Sequence, residues 1–391
     1  MKKIISIAAS LSVGITLTMA DNAVLSKDNL GDFLLAPLYL AKGNICTKVS
    51  VYNTNMNHSI LAKVAFREQL TSNEVDLPIF LTPGDVWSGM VCQRDNGDVY
   101  LTSKDNSNHP AIKPTLLTGK NLTAQSKAAG NDVVDFRMGY IEVYPIAEFK
   151  DKHNVTKSTL VKRWDNLIKG QQSSKLVVSG VDGYSLTANV RFVDKKDLNK
   201  ENSYTTMLPM VAFKGTHDKT LLGSAIGYGN DTAPDVLLGT TKKYQILKLL
   251  KHHSVMFNYV NSGKDQYVVF TYPFGYAKDQ IRKYKVVVMD MEGKMDKKPK
   301  EEIIFSPKPQ IVPNNLFMKN EVATISVADI ISKTTNPSHF KAGQIQITDI
   351  TNVNDVQLGA GKNASFVATY LTLTTDANGS KVENARYIPS K

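Results

Sequence analysis

The chain has 391 residues, 42% hydrophobic and 21% charged, with 47 Lys and Arg against 36 Asp and Glu and a formal charge of +11. This apolar content excludes a disordered chain, and the length exceeds what a single core usually serves, so two or three domains are expected. The basic but mixed balance favours loose attraction to anionic surfaces and names no particular one.

Met1-Lys2-Lys3 is a positive opening, residues 4–17 are an apolar stretch interrupted by Ser, Gly and Thr, and Thr18-Met19-Ala20 is a small-x-small site. This is the pattern of a cleavable secretory signal over residues 1–20. Its removal takes away Lys2 and Lys3 and leaves 45 basic against 36 acidic residues. A membrane anchor needs roughly 20 consecutive apolar residues, and neither this segment nor a later one supplies them. No cysteine stands near the cleavage site to carry a lipid. The expectation is an exported protein with no transmembrane segment in the mature chain, at the cell surface or extracellular, with the periplasm as the alternative.

Short apolar segments at close spacing then alternate with turn signals, the pattern of an antiparallel sandwich rather than of βαβ units. Residues 32–40 read as a first strand whose Pro37 suits an edge or a bend. Residues 47–53 alternate, and Ala62, Val64 and Phe66 face inward on the next strand with Lys63 and Arg67 opposite. Val75, Leu77, Ile79 and Leu81 continue the scheme with Asp76 and Pro78 facing out, before a Pro83-Gly84-Asp85 turn. Residues 86–91 and 99–102 follow, and 138–144 reads as the closing strand of this part. Between them, residues 103–131 are rich in Asn, Ser, Lys and Gly and read as a long surface loop.

Leu160, Val161, Trp164, Leu167 and Ile168 stand at helical spacing within 156–169, and Gly170 is placed to end that helix. Alternation returns in 186–192 and 207–213. A second helix is expected from 242 to about 251, after the cap candidates Thr240 and Thr241. Residues 267–272 and 285–289 are strongly β-prone and read as central strands. A solvated linker spans 292–302, Ser326-Val-Ala-Asp329 offers a capping box for a short helix, and 344–350 and 366–374 alternate. The tail from Asp376 shows no core-forming pattern. The expected fold is mostly β: antiparallel immunoglobulin-like sandwich domains with two or three short helices. The expected division is a signal at 1–20, an N-terminal sandwich at 21–150, a second β-rich domain at 151–290, and a C-terminal β segment at 291–391 completing it.

Cys46 and Cys92 are the only cysteines, and an even pair in an oxidising compartment is a disulfide candidate. If Val49 and Val51 point inward, alternation places Cys46 on the other face, which favours a bridge at a sheet edge or loop over one across the core. No Gly-x-Ser-x-Gly elbow, Walker loop, His-Glu-x-x-His helix or Cys-x-x-Cys pair is present, so the expectation is a protein that is not an enzyme. His252-His253 is the only histidine pair, and adjacent residues do not face one another. The Asp-rich stretches 194–197 and 376–380 carry oxygen donors of the kind calcium takes, without EF-hand spacing, so calcium is the one cofactor considered and none is assigned. Asn378 heads an Asn-x-Ser triplet within Asp376-Ala-Asn-Gly-Ser380 and is the glycosylation candidate. Tyr272, Phe274 and Tyr276, around Pro273 and Gly275, form the candidate ligand platform. The basic stretch 150–169 has only Trp164 as an interleaved aromatic, which argues against nucleic acid as a partner.

Gly31-Asp-Phe-Leu-Leu-Ala-Pro, Val51-Tyr-Asn-Thr, 62–68, Leu81-Thr-Pro-Gly-Asp-Val-Trp-Ser-Gly89, Gly139-Tyr-Ile-Glu-Val and Val268-Val-Phe-Thr-Tyr-Pro273 together resemble a group of poorly characterised exported proteins of Gram-negative bacteria. The resemblance implies a secreted or surface β-sandwich protein and carries over no functional residue. The functional expectation is a non-enzymatic cell-surface structural or interaction protein of surface-layer, filament-subunit or adhesin type, engaging itself, other surface components or anionic glycans. The alternative is a secreted or periplasmic carbohydrate-binding or carbohydrate-processing protein.

Overall fold

The computed structural model describes residues 22–108, 119–151, 154–168, 176–177, 185–197, 204–216, 234–250, 254–261, 265–275, 284–291, 322–334, 337–349, 366–376 and 379–388. Across them lie four antiparallel sheets and four α-helices, the mostly β sandwich class that the alternation requires. The signal segment falls outside the described residues.

The first lobe faces two sheets against each other. One contains, in spatial order, β1 (Val24–Leu25), β13 (Val211–Lys214), β2 (Phe33–Leu40), β9 (Met138–Lys150), β4 (His58–Glu68) and β5 (Glu74–Leu81), with β10 (Leu176–Val177) also pairing β9. The other runs β12 (Tyr204–Pro209), β11 (Leu186–Asp194), β3 (Ile45–Asn53), β6 (Val86–Gln93), β7 (Val99–Thr102) and β8 (Lys120–Asn121). The first lobe therefore extends well past residue 150: β10 to β13 complete both of its sheets, and the chain crosses between them at the buried Met210. The strand beginning at Met138 lies in the middle of its sheet, between β2 and β4, rather than closing it.

The second lobe pairs a three-stranded sheet, β14 (Ser254–Val260), β18 (Ala342–Asp349) and β16 (Tyr284–Asp290), with a four-stranded one, β17 (Val322–Ser326), β15 (Asp265–Thr271), β19 (Val367–Asp376) and β20 (Gly379–Ile388). The four-stranded sheet is apolar on both faces. Val268, Phe270 and Tyr370 enter the second lobe's own core, whereas Val269, Leu371 and Ala385 join the core of the first. This explains the unbroken apolar run in β15, because a strand covered on both sides gains nothing from alternation. Thr271 Oγ1 donates to the Pro37 carbonyl, which lies beyond the reach of β13 at a register shift in β2. Pro37 thus marks the bend rather than an edge.

Three expectations are corrected by this arrangement. Residues 103–131 are not one long loop: β8 and the helix α1 (Leu122–Ala128) form there, with the Asn121 side chain accepting from Ala124 N–H as the cap and Leu122 buried. The tail after Asp376 is β20, whose Val382, Ala385 and Ile388 are buried; a register shift at Thr372/Leu373 breaks the period that would have revealed it. Strand β16 pairs only with β18 among the described strands and stands at a sheet edge, not in the centre. Helices form where expected as α2 (Lys157–Ile168) and α4 (Val327–Ser332), the latter capped by Ser326 Oγ, which accepts from Asp329 N–H; α3 (Pro234–Leu249) begins eight residues before the expected start at 242, so Thr240 and Thr241 lie inside it and do not cap it.

Candidate functional site

Cys46 and Cys92 form a disulfide with Cα atoms 4.6 Å apart. They lie one step beyond the Thr47–Val91 pair of β3 and β6, the third and fourth of six strands. Thr47 Oγ1 turns inward and binds the Leu40 backbone, so Cys46 faces out, as alternation demands. The bridge therefore avoids the core, yet it joins neighbouring central strands rather than an edge or loop.

The aromatic cluster is not an open platform. Tyr272 has no exposed surface and its ring meets Phe366 edge-on at 5.7 Å. Phe274 is half-buried against Phe33 at 5.7 Å, adopts φ +68°, and donates its backbone N–H to Tyr140 OH at 3.1 Å. Tyr276 and the glycosylation candidate Asn378 lie outside the described residues, as do His252 and His253. Asp194 spends a carboxylate oxygen on the Lys196 N–H. Among the described residues no group of three or more His, Cys, Asp or Glu could hold a metal ion.

A polar layer lies on the outer face of the β2–β9–β4–β5 region, where alternation had placed solvent-facing residues. Its members face out of the sandwich, yet Lys63, Arg67, Glu142 and Tyr144 are buried and Glu74, Asp76 and Lys120 part-buried. Arg67 Nε donates to Glu142 Oε2 at 2.6 Å, its Nη2 lies 2.6 Å from Glu74, and its Nη1 donates to the Ser72 carbonyl. Tyr144 OH donates to the same Glu142 oxygen at 2.8 Å. Lys63 pairs with Asp76 at 3.0 Å, and burial pushes the Asp76 carboxyl above its usual range although Lys63 opposes the shift. Lys120 reaches from β8 to the Asp76 carbonyl and so ties the edges of the two sheets. Burial, aided by Lys63 and opposed by Asp76, lowers its ammonium to about 8. On the opposite face of β4, in line with Phe66, Glu68 closes the β4–β5 hairpin by accepting from the Leu70, Thr71 and Asp135 N–H groups, while burial raises its carboxyl. This layer welds the lobe; at sequence level its paired charges look like surface ones.

The outer face of the β12–β11–β3–β6–β7 sheet is different, because solvent reaches it. Register defines its rows across the strands. Met207, Arg191, Lys48, Met90 and Thr102 form one, with Arg191 and Lys48 directly opposite each other. Ser50 and Ser88 are hydrogen-bonded in the next, beside Asn189, whose amide also reaches Tyr52 OH. At the disulfide end, Arg94 lies over the Tyr100 ring at 3.9 Å. The signal for this face was present in the sequence as the polar half of each alternating strand. Which strands lie side by side was not.

No family model matches the chain, and no similar protein was found among curated proteins or among solved structures. The functional reading therefore rests on the residues themselves.

Proposed function

We propose that this is an exported, non-enzymatic protein of the cell surface that works by contact, with the outer face of the β12–β11–β3–β6–β7 sheet as its contact surface. The observation that carries this reading is the pairing of a solvent-facing, cation-bearing sheet face with a disulfide set into that same face. A bridge between adjacent strands fixes their register, and a bridge that persists fits an oxidising compartment outside the cytoplasm. The resemblance to exported Gram-negative proteins and the signal pattern support the same destination. A rigid sheet presents side chains at fixed spacing with little ordering cost, which favours binding. The immunoglobulin-like version of the sandwich belongs to this proposal as well.

Binding of a saccharide is the second reading, favoured by Tyr52 and the Arg94-covered Tyr100 on this face rather than by the 272–276 cluster. Binding of the purified protein to intact cells that lack it tests the first. Lys48→Glu with Arg191→Glu should reduce the bound fraction about tenfold while the melting temperature holds; equal binding by the folded variant would remove this face from the account.

A further inference from the structure

Within the polar layer of the first lobe, one pair of side chains stands in a setting that a surface ion pair lacks. Register sets three consecutive rows across β9, β4 and β5: Tyr144, Lys63 and Pro78, then Glu142, Ala65 and Asp76, then Tyr140, Arg67 and Glu74. Beyond Tyr144 the first row runs on into aromatic rings, with Phe33 at 5.0 Å from Tyr144 and Phe213 at 5.5 Å from Phe33. Lys63 therefore lies in a row of rings and a proline, and it is 2% exposed. The small Ala65 separates the two carboxylates of the next row, so Lys63 is diagonal to Asp76 on one side and to Glu142 on the other, positions that a long side chain can reach. Its Nζ is 3.0 Å from Asp76 Oδ2. Glu142 accepts from Arg67 Nε and Tyr144 OH through Oε2, while its Oε1 is buried with no hydrogen-bond partner among the described residues.

We propose that Lys63 and Asp76 condense to an intramolecular amide that ties β4 to β5, with Glu142 carrying the proton. In the ion pair a proton passes from the Lys63 ammonium to the Asp76 carboxylate, which leaves a neutral amine beside a neutral acid. Burial favours that exchange, because it disfavours both charges, and the Asp76 carboxyl is held above its ordinary range by burial. The desolvated amine is a nucleophile fixed against its target, so no encounter is needed. The bond from Lys63 Nζ to Asp76 Cγ forms, Glu142 takes a proton from Nζ and returns it to the Asp76 hydroxyl, and the bond from Cγ to that hydroxyl breaks. One water leaves, Glu142 ends as it began, and no oxidant, reductant or second substrate enters. The Asp76 side chain keeps 15% of its surface exposed, which gives the water a way out. The tie has a counterpart: the other sheet of the lobe is joined covalently by Cys46 and Cys92 between β3 and β6. β5 ends its sheet on one side, and an amide there resists the thiols that open a disulfide. The step does not depend on the contact-surface reading.

Intact mass spectrometry of the full chain tests this, with the disulfide reduced and the N-terminus read by sequencing. The wild type should weigh one water less than its sequence. Lys63 should then resist trypsin, and a branched peptide should join residues 49–67 to residues 68–94. Lys63→Met and Asp76→Ala should each restore the full mass. Glu142→Gln keeps an oxygen for Arg67 and Tyr144 but cannot carry a proton, so the folded variant should also stay at full mass; loss of water as complete as in the wild type would overturn the step as written. A wild type at full mass overturns the proposal and leaves an ion pair only. So does a missing water that maps to other residues, and both of these results are decisive even if no variant folds.

Discussion

Arg67 shows how much a single residue here depends on its burial. Exposed, its pairs with Glu142 and Glu74 would each be worth about 0–1 kcal/mol; buried, removal of one partner leaves an uncompensated charge and costs several times that. Lys120 is the complementary case, because its charge is a burden. At pH 7 it is charged in both folded and unfolded states, and the folded state bears the cost of partial burial. As pH rises, the folded state gives up this proton near pH 8, whereas the unfolded chain holds it to about 10.5, so this site's contribution to stability increases across that window. Lys120→Met should accordingly stabilise the protein by roughly 2 kcal/mol at pH 7. Chemical denaturation at several pH values should show that advantage shrinking between pH 8 and 10.5, and an advantage constant with pH would refute the assignment.

The strands show what kind of element a sequence reveals. Alternation was clear in β3, β5 and β11, each with one face in the core, and the helix α2 was clear because its stripe covers Phe80 and Phe149 through Leu160 and Trp164. Elements whose pattern is interrupted were hidden: β20 behind a register shift, α1 behind its seven-residue length. The partners of each strand were not legible either, since every sheet joins segments distant in sequence, and this is why neither the open sheet face nor the lobe boundary could be read beforehand. The disulfide was foreseen as a pair and only half foreseen in place. It closes a separation of 46 residues, for which the chain-entropy model gives about 4 kcal/mol. Denaturant titration of Cys46→Ala with Cys92→Ala should show a loss of that order without a change in fold, whereas a loss below about 1 kcal/mol would mean that the β3–β6 ladder alone holds this edge of the face.

At the scale of the whole molecule, the two lobes are joined by a common core rather than by a linker. Val269, Leu371 and Ala385 pack with the first lobe, Val322 N–H donates to the Gln69 carbonyl at 3.1 Å, and Tyr387 OH donates to the Pro209 carbonyl at 2.6 Å. Through β20 the second lobe also packs on β12, β11 and β3 of the first, while the outward positions of the three-stranded sheet are exposed or part-exposed. The proposed use of the outer face of the β12–β11–β3–β6–β7 sheet as a contact surface requires the protein to stand outside the cell, and protease shaving of intact producing cells tests that most directly. The account predicts digestion in intact cells, with the outer membrane unbroken. Protection in intact cells, with digestion only after the outer membrane is permeabilised, would contradict it and place the protein in the periplasm.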